Sequence, residues 1–160
     1  MRLFWHGLVA VILCAFWSNT FACPQAQTVD EEGNVIRLLQ RKFSGVYELV
    51  LIAGDATQQE LKSRLTYDGT SDSACRFGAV AIARGNAWGW HLAWADDESI
   101  YIVRMDGEAW VNSPPKRFAF PHTQSLKFQQ NGSILQLGGS SSQAKILLQS
   151  DDEGRNWVAK

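Results

Sequence analysis

Three cysteines, three histidines, four prolines and two methionines are spread over 160 residues. So few histidines and cysteines leave little from which to build a metal site. An excess of one charge is also missing: fifteen Lys and Arg face sixteen Asp and Glu, a formal net charge of −1. No basic stripe runs along the chain, which argues against a nucleic-acid footprint. Coiled-coil heptads and a second hydrophobic span are absent, and low complexity is limited to one short Ser/Gly run. The one long apolar stretch lies at the start and is shorter than the roughly 20 residues that cross a bilayer.

That stretch has the layout of a secretory signal. Arg2 supplies the positive n-region, and Leu3 to Phe16 is apolar apart from His6 and Gly7. Ser18, Asn19 and Thr20 form a polar c-region, with Thr20 and Ala22 at the −3 and −1 positions that signal peptidase reads. The expectation is a signal peptide over residues 1–22 and export to the periplasm, with no membrane association after cleavage. Residues 23–160 then form one domain, long enough to bury a real core. Losing Arg2 moves its formal charge to about −2. Cys14 leaves with the signal, and Cys23 and Cys75 remain as an even pair in an oxidising compartment, which predicts a disulfide. Lipidation of Cys23 is the alternative at that position, although Thr20 stands where such signals usually carry Leu.

Little of the remaining chain has helical period. A short helix is expected over Gln58 to Leu65. Elsewhere, short β-prone runs are cut by turn residues. Strands are expected at Val35–Leu39, Tyr47–Ile52, Ala79–Ala83, Trp90–Ala95, Ser99–Met105 and Ala109–Asn112. Beyond a bend at Pro114-Pro115 come Leu126–Gln130, Ser133–Leu137, Ala144–Gln149 and Asn156–Ala159. Asn131-Gly132 suits the positive φ values of a type I′ hairpin turn. The last eight strands read as two units of four, each ending in Gly-x-x-Trp, at Gly107–Trp110 and Gly154–Trp157, 47 residues apart. Four short strands repeating at that period point to a β-propeller blade.

Ser150-Asp151-Asp152-Glu153-Gly154-Arg155-Asn156-Trp157 reads Ser-x-Asp-x-Gly-x-x-Trp. It resembles the Asp-box, or BNR repeat, of sialidase-type propellers, where the box is the turn between the third and fourth strands of a blade. An Asp carboxylate can hold such a turn through backbone N–H groups, Gly permits positive φ, and Trp plugs the space between sheets. In the earlier copy Met105 takes the Asp position, and only Gly107 and Trp110 match. The resemblance makes Ser150, Asp152, Gly154 and Trp157 structural. Sialidase chemistry needs an arginine triad, a tyrosine–glutamate pair and an aspartate spread over a whole propeller. About 47 residues per blade leave room here for about three sheets, against roughly four to eight in closed propellers. The expected fold is therefore all-β and partial β-propeller-like.

No P-loop, Gly-x-Ser-x-Gly elbow or zinc-helix motif is present. With the cysteines paired, His91 and His122 alone make no metal set, so no catalytic residue, metal or cofactor is expected. Two loops fall on the face opposite the Asp-box turns, which is the binding face of sialidase-type propellers. One is the acidic tip Asp96, Asp97 and Glu98. The other is Gly138-Gly139-Ser140-Ser141-Ser142-Gln143, a narrow, flexible, hydroxyl-rich finger. Trp88, Trp90, Leu92 and Trp94 lie at even spacing and share one side of a strand. They serve either as a core face between blades or as an aromatic platform for sugar rings.

A small exported propeller fragment of this kind is similar to the periplasmic immunity proteins that neutralise peptidoglycan amidase effectors of type VI secretion. The resemblance is architectural. It implies that a serine-bearing loop enters the effector's Cys-His site, with Ser140, Ser141, Ser142, Gln143, Asp96, Asp97 and Glu98 as partner-binding residues and a secreted effector enzyme as partner. The competing expectations are a carbohydrate or peptidoglycan binding module that uses the tryptophan face, and a truncated hydrolase.

Overall fold

A computed structural model describes residues 23–54, 58–67, 75–86, 89–107, 111–142 and 144–160. The expected signal peptide, Trp88, Trp110 and Gln143 lie outside these residues. Twelve strands and no helix form the described chain. β1 (Ala26–Val29), β2 (Val35–Phe43), β3 (Val46–Gly54) and β4 (Gln59–Tyr67) make a first antiparallel sheet. β5 (Ala79–Arg84), β6 (Trp90–Ala95), β7 (Ser99–Met105) and β8 (Lys116–Ala119) make a second. β9 (Thr123–Asn131), β10 (Ile134–Ser141), β11 (Lys145–Ser150) and β12 (Val158–Ala159) make a third. Each sheet is a meander in which consecutive strands pair. The leading strands are neighbours across the sheet boundaries, β1 against β5 and β5 against β9. This is a three-bladed, partial propeller-like arrangement.

The second sheet is the filling of the stack, and strand periodicity explains how it serves two neighbours. From β6, Trp90, Leu92 and Trp94 join Val80, Ile82, Val103 and Met105 against Ile36, Leu38, Leu49 and Leu51 of the first sheet. The alternate residues Ala79, Ala81, Ala93, Ala95, Ile100 and Ile102 face Phe128, Leu135, Leu137, Ile146, Leu148 and Trp157 of the third. Bulk on one side and alanine on the other set the two inter-sheet fits. Burying each large side chain contributes about 1.5–3 kcal/mol. Trp94 stacks on Tyr101 at 5.5 Å between ring centroids, and Phe77 meets it edge-on at 6.4 Å.

Cys23 and Cys75 are joined by a disulfide across 52 residues of chain. Gln40, buried on β2, reinforces the join. Its amide donates to the carbonyls of Pro24 (3.2 Å) and Phe77 (3.0 Å), and its oxygen accepts from the Phe77 N–H at 3.0 Å.

Two expected elements differ. Gln58–Leu65 is not a helix but most of β4, because pairing with the buried β3 decides its state. Leu65 lies opposite Leu49 and Ser63 opposite Leu51, with a bulge between Leu51 and Ile52 absorbing the extra residue. The strand expected at Ala109–Asn112 is reduced, in its described part, to a single bridge from Asn112 to Met105. Its place beside β7 is taken by β8, which starts just past Pro114 and Pro115, residues that lack the ladder's N–H.

Candidate functional site

The third sheet's last turn is built from the Asp-box residues. The Ser150 hydroxyl donates to Asp152 Oδ1 (2.8 Å) and accepts the Gly154 N–H (2.8 Å). Asn156 closes the turn, its N–H on Oδ1 at 2.8 Å and its amide on Oδ2 at 2.6 Å. Trp157 Nε1 donates to the Gly154 carbonyl at 3.2 Å, and its ring packs on Phe128. Partial burial pushes the Asp152 carboxyl upward, but the bonds from Asn156 and Ser150 outweigh it and bring its pKa down to about 2.

Gly154 adopts φ +78°, and a Cβ there would sit 2.8 Å from Nδ1 and Cε1 of His91. His91 is 1% exposed, so it is a packing residue between the second and third sheets. Burial, followed by the nearby Arg104 charge, lowers its pKa to about 4. It is buried and neutral at pH 7.

At the opposite end, Asp96 organises the β6–β7 hairpin. Its carboxylate accepts the N–H groups of Glu98 (2.9 Å) and Ser99 (2.8 Å). It also bonds Tyr101, whose hydroxyl pKa is raised first by burial and then by Asp96. Glu98 pairs with Arg117 at 3.1 Å. The expected serine finger has a different form. Gly138, Gly139 and Ser140 lie inside β10, paired on both sides, and Ser141 is its last residue. Core residues Leu135, Leu137, Ile146 and Leu148 fix that register, so the strand continues through the glycines. A Cβ on Gly139 would collide with the Ser125 carbonyl, which shows how closely β9 approaches. Ser140 and Ser125 hydroxyls are 2.9 Å apart. Ser141 closes the turn, its Oγ accepting from the Ala144 N–H (3.0 Å) and its backbone N–H donating to the Ala144 carbonyl (2.9 Å). Only Ser142, exposed at the bend, remains as the described apex.

The two tips are joined by His122, a residue to which composition and motif assigned no role. Its N–H donates to the Asp97 carbonyl at 2.9 Å, and its own carbonyl accepts the Ser142 N–H at 3.3 Å. It holds a positive φ of 55° to do so. Asp97, Glu98, His122 and Ser142 are all exposed, and the two backbone bonds bring the tips together. Pro121-His122 reads in sequence as a loop, and backbone bonds of this kind leave no side-chain signal there.

The described part of the tryptophan platform is not presented to solvent. Trp90 and Trp94 are 5% and 0% exposed and belong to the core against the first sheet. A separate cleft of about 1040 Å³ opens at the Asp-box end between the first and second sheets, with Ile36 and Trp90 among its lining and Asp30, Asn34, Arg84 and Asn86 around it. Of its charges, Lys62 pairs with Glu60 at 2.5 Å inside the lining, and Arg84 pairs with Glu31 beside it at 2.6 Å. Among the described residues, no three His, Cys, Asp or Glu side chains converge to hold a metal ion, and no helix is long and apolar enough to cross a membrane. No family model, curated protein or solved structure matches the chain.

Proposed function

We propose that this is a periplasmic inhibitor, an immunity protein that occludes the active site of a cognate cell-wall amidase. The observation that carries the reading is the single tip surface in which His122 ties Asp97 to Ser142. A binding surface made of turns already locked by their own hydrogen bonds loses little conformational entropy on docking. The small side chain of Ser142 suits entry into a narrow cleft, where its hydroxyl can bond a Cys-His pair. Blocking is by occupancy, so the inhibitor needs no catalytic group. The disulfide is consistent with an oxidising, exported compartment.

The test is to titrate the purified protein into a secreted Cys-His amidase encoded beside it and follow peptide release from peptidoglycan. Stoichiometric inhibition is expected, lost on replacing Ser142 with Glu. Undiminished hydrolysis at saturating protein rejects the reading. Binding of isolated peptidoglycan without any effect on the amidase would favour the glycan module instead.

A further inference from the structure

We infer that His91 is an acid-operated latch between the second and third sheets: neutral, it seats the Asp-box turn, and protonated, it releases that turn. The ring is closely enclosed and offers a second proton no acceptor at Nδ1. A Cβ on Gly85 would lie 2.7 Å from Nε2, and one on Gly154 would lie 2.8 Å from Nδ1, so two glycines from different sheets close on the ring. The Phe128 ring of β9 lies 6.3 Å away. Nδ1 has no hydrogen-bond partner among the described residues. An imidazolium needs acceptors for both N–H groups, and a buried, unpaired charge is costly.

The surrounding charges add to this penalty. On β7, Arg104 stands directly opposite His91 in the strand register, like-charged with the protonated ring. On β5, Ala83 lies opposite His91 and carries no charge, while Arg84 pairs with Trp90 and lies over its ring; Gly85, just past the strand's end, adds none. On β9, the facing residue is Phe128. The Asp-box turn brings Asp152, Glu153 and Arg155, but the Asp152 carboxylate is committed to Ser150 and Asn156. Protonation is relieved when the turn lifts and water reaches the ring. The third sheet's edge then loosens while the disulfide-tied first sheet keeps its contacts.

The direction follows from where the proton binds more tightly. With the ring near 6.5 when open and about 4 when seated, opening is unaffected above pH 7. It becomes more favourable as pH falls from about 6.5 to about 4. The full effect is up to about 300-fold in the opening equilibrium, and about 30-fold at pH 5.

Hydrogen exchange of the protein at pH 7.5 and pH 5, corrected for intrinsic rates, reads this directly. The amides of Gly154 and Asn156 should open about 30-fold more at pH 5, while those of β2 and β3 change little. The rise should vanish in His91→Phe. A uniform rise over all three sheets, or the same local rise in His91→Phe, overturns the latch. Should that variant not fold, the ring's own NMR titration in the wild type decides: a midpoint near 4 supports the latch, and one near 6.5 refutes it.

Discussion

Asn156 grips Asp152 with two bonds, its N–H on Oδ1 and its side-chain amide on Oδ2. Asn34 grips Asp30 in the same way four residues on, at 2.6 and 2.9 Å. The first pair closes the β11–β12 turn and the second closes the β1–β2 turn, so the two clamps sit on the same end of the stack. Both carboxyls are held below the usual range. Asp152→Ala should therefore cost about 1–3 kcal/mol by removing the charged acceptor shared by Asn156 and Ser150.

The acid response of that clamp has a definite sign. Asp152 has a folded pKa of about 2 against an ordinary 3.8. Its stabilisation is complete above about pH 4 and is lost as pH falls toward 2, because the unfolded chain takes up the proton first. Melting temperatures between pH 5 and pH 2 should fall less steeply in Asp152→Asn than in wild type. Parallel curves would show that the carboxylate contributes nothing to the slope.

Gly154→Ala combines two penalties, a side chain at φ +78° and a clash with His91. It should cost about 1–3 kcal/mol or more. Adding His91→Ala removes the clash and leaves the backbone strain, so the double variant should lose less than the sum of the singles. Chemical denaturation of the four proteins measures the coupling. Simple additivity would mean that the two residues do not bear on each other.

What could be read from sequence tracks where the side chains themselves decide the structure. Alternation in Trp90–Ala95 and Ser99–Met105 marks strands because each face meets a different sheet. The even cysteine count fixed the one possible pair, and Ser150–Trp157 carried its turn in its own side chains. β4 was hidden because Gln58, Gln59, Glu60, Lys62 and Arg64 have good helical propensity, and only the buried β3 beside them imposes the extended state. The even spacing of Trp90 and Trp94 favours a core face over a platform, and the first sheet does cover them. The glycines at 138 and 139 read as a flexible finger, since nothing local reveals that β9 and β11 pair on either side. The contribution of His122 lies wholly in its backbone.

Reducing the Cys23–Cys75 bond frees a loop spanning 52 residues of separation. In the chain-entropy model this costs about 4 kcal/mol. The N-terminal segment should be the first part to loosen, since it retains the Gln40 bond to Pro24 but loses its covalent tie. Thermal melts with and without reductant, with thiol labelling of the unreduced denatured protein as control, test this. Two reactive thiols in the control would mean that the bond does not form in the protein as produced.

Ser140, Ser141 and Ser142 should separate into two kinds by substitution. Ser141 accepts the Ala144 N–H and so holds the turn's shape, and Ser140 bonds Ser125 across the ladder. Replacing Ser141 with Ala should cost about 0.5–1.5 kcal/mol of stability, the worth of an ordinary hydrogen bond. Ser142 is exposed at the bend, so Ser142→Leu or Ser142→Glu should leave the melting temperature within experimental scatter. On the proposed function, those same Ser142 variants weaken amidase inhibition by orders of magnitude, because a bulky or charged apex clashes in the cleft it enters. Asp97→Lys and Glu98→Lys, on the adjoining tip, should weaken inhibition by a smaller factor through association rate, with salt dependence. Measuring Tm and inhibition constant on each variant places them on two axes. Inhibition that follows Tm alone, with Ser142 variants as potent as wild type, would remove this surface from the interface.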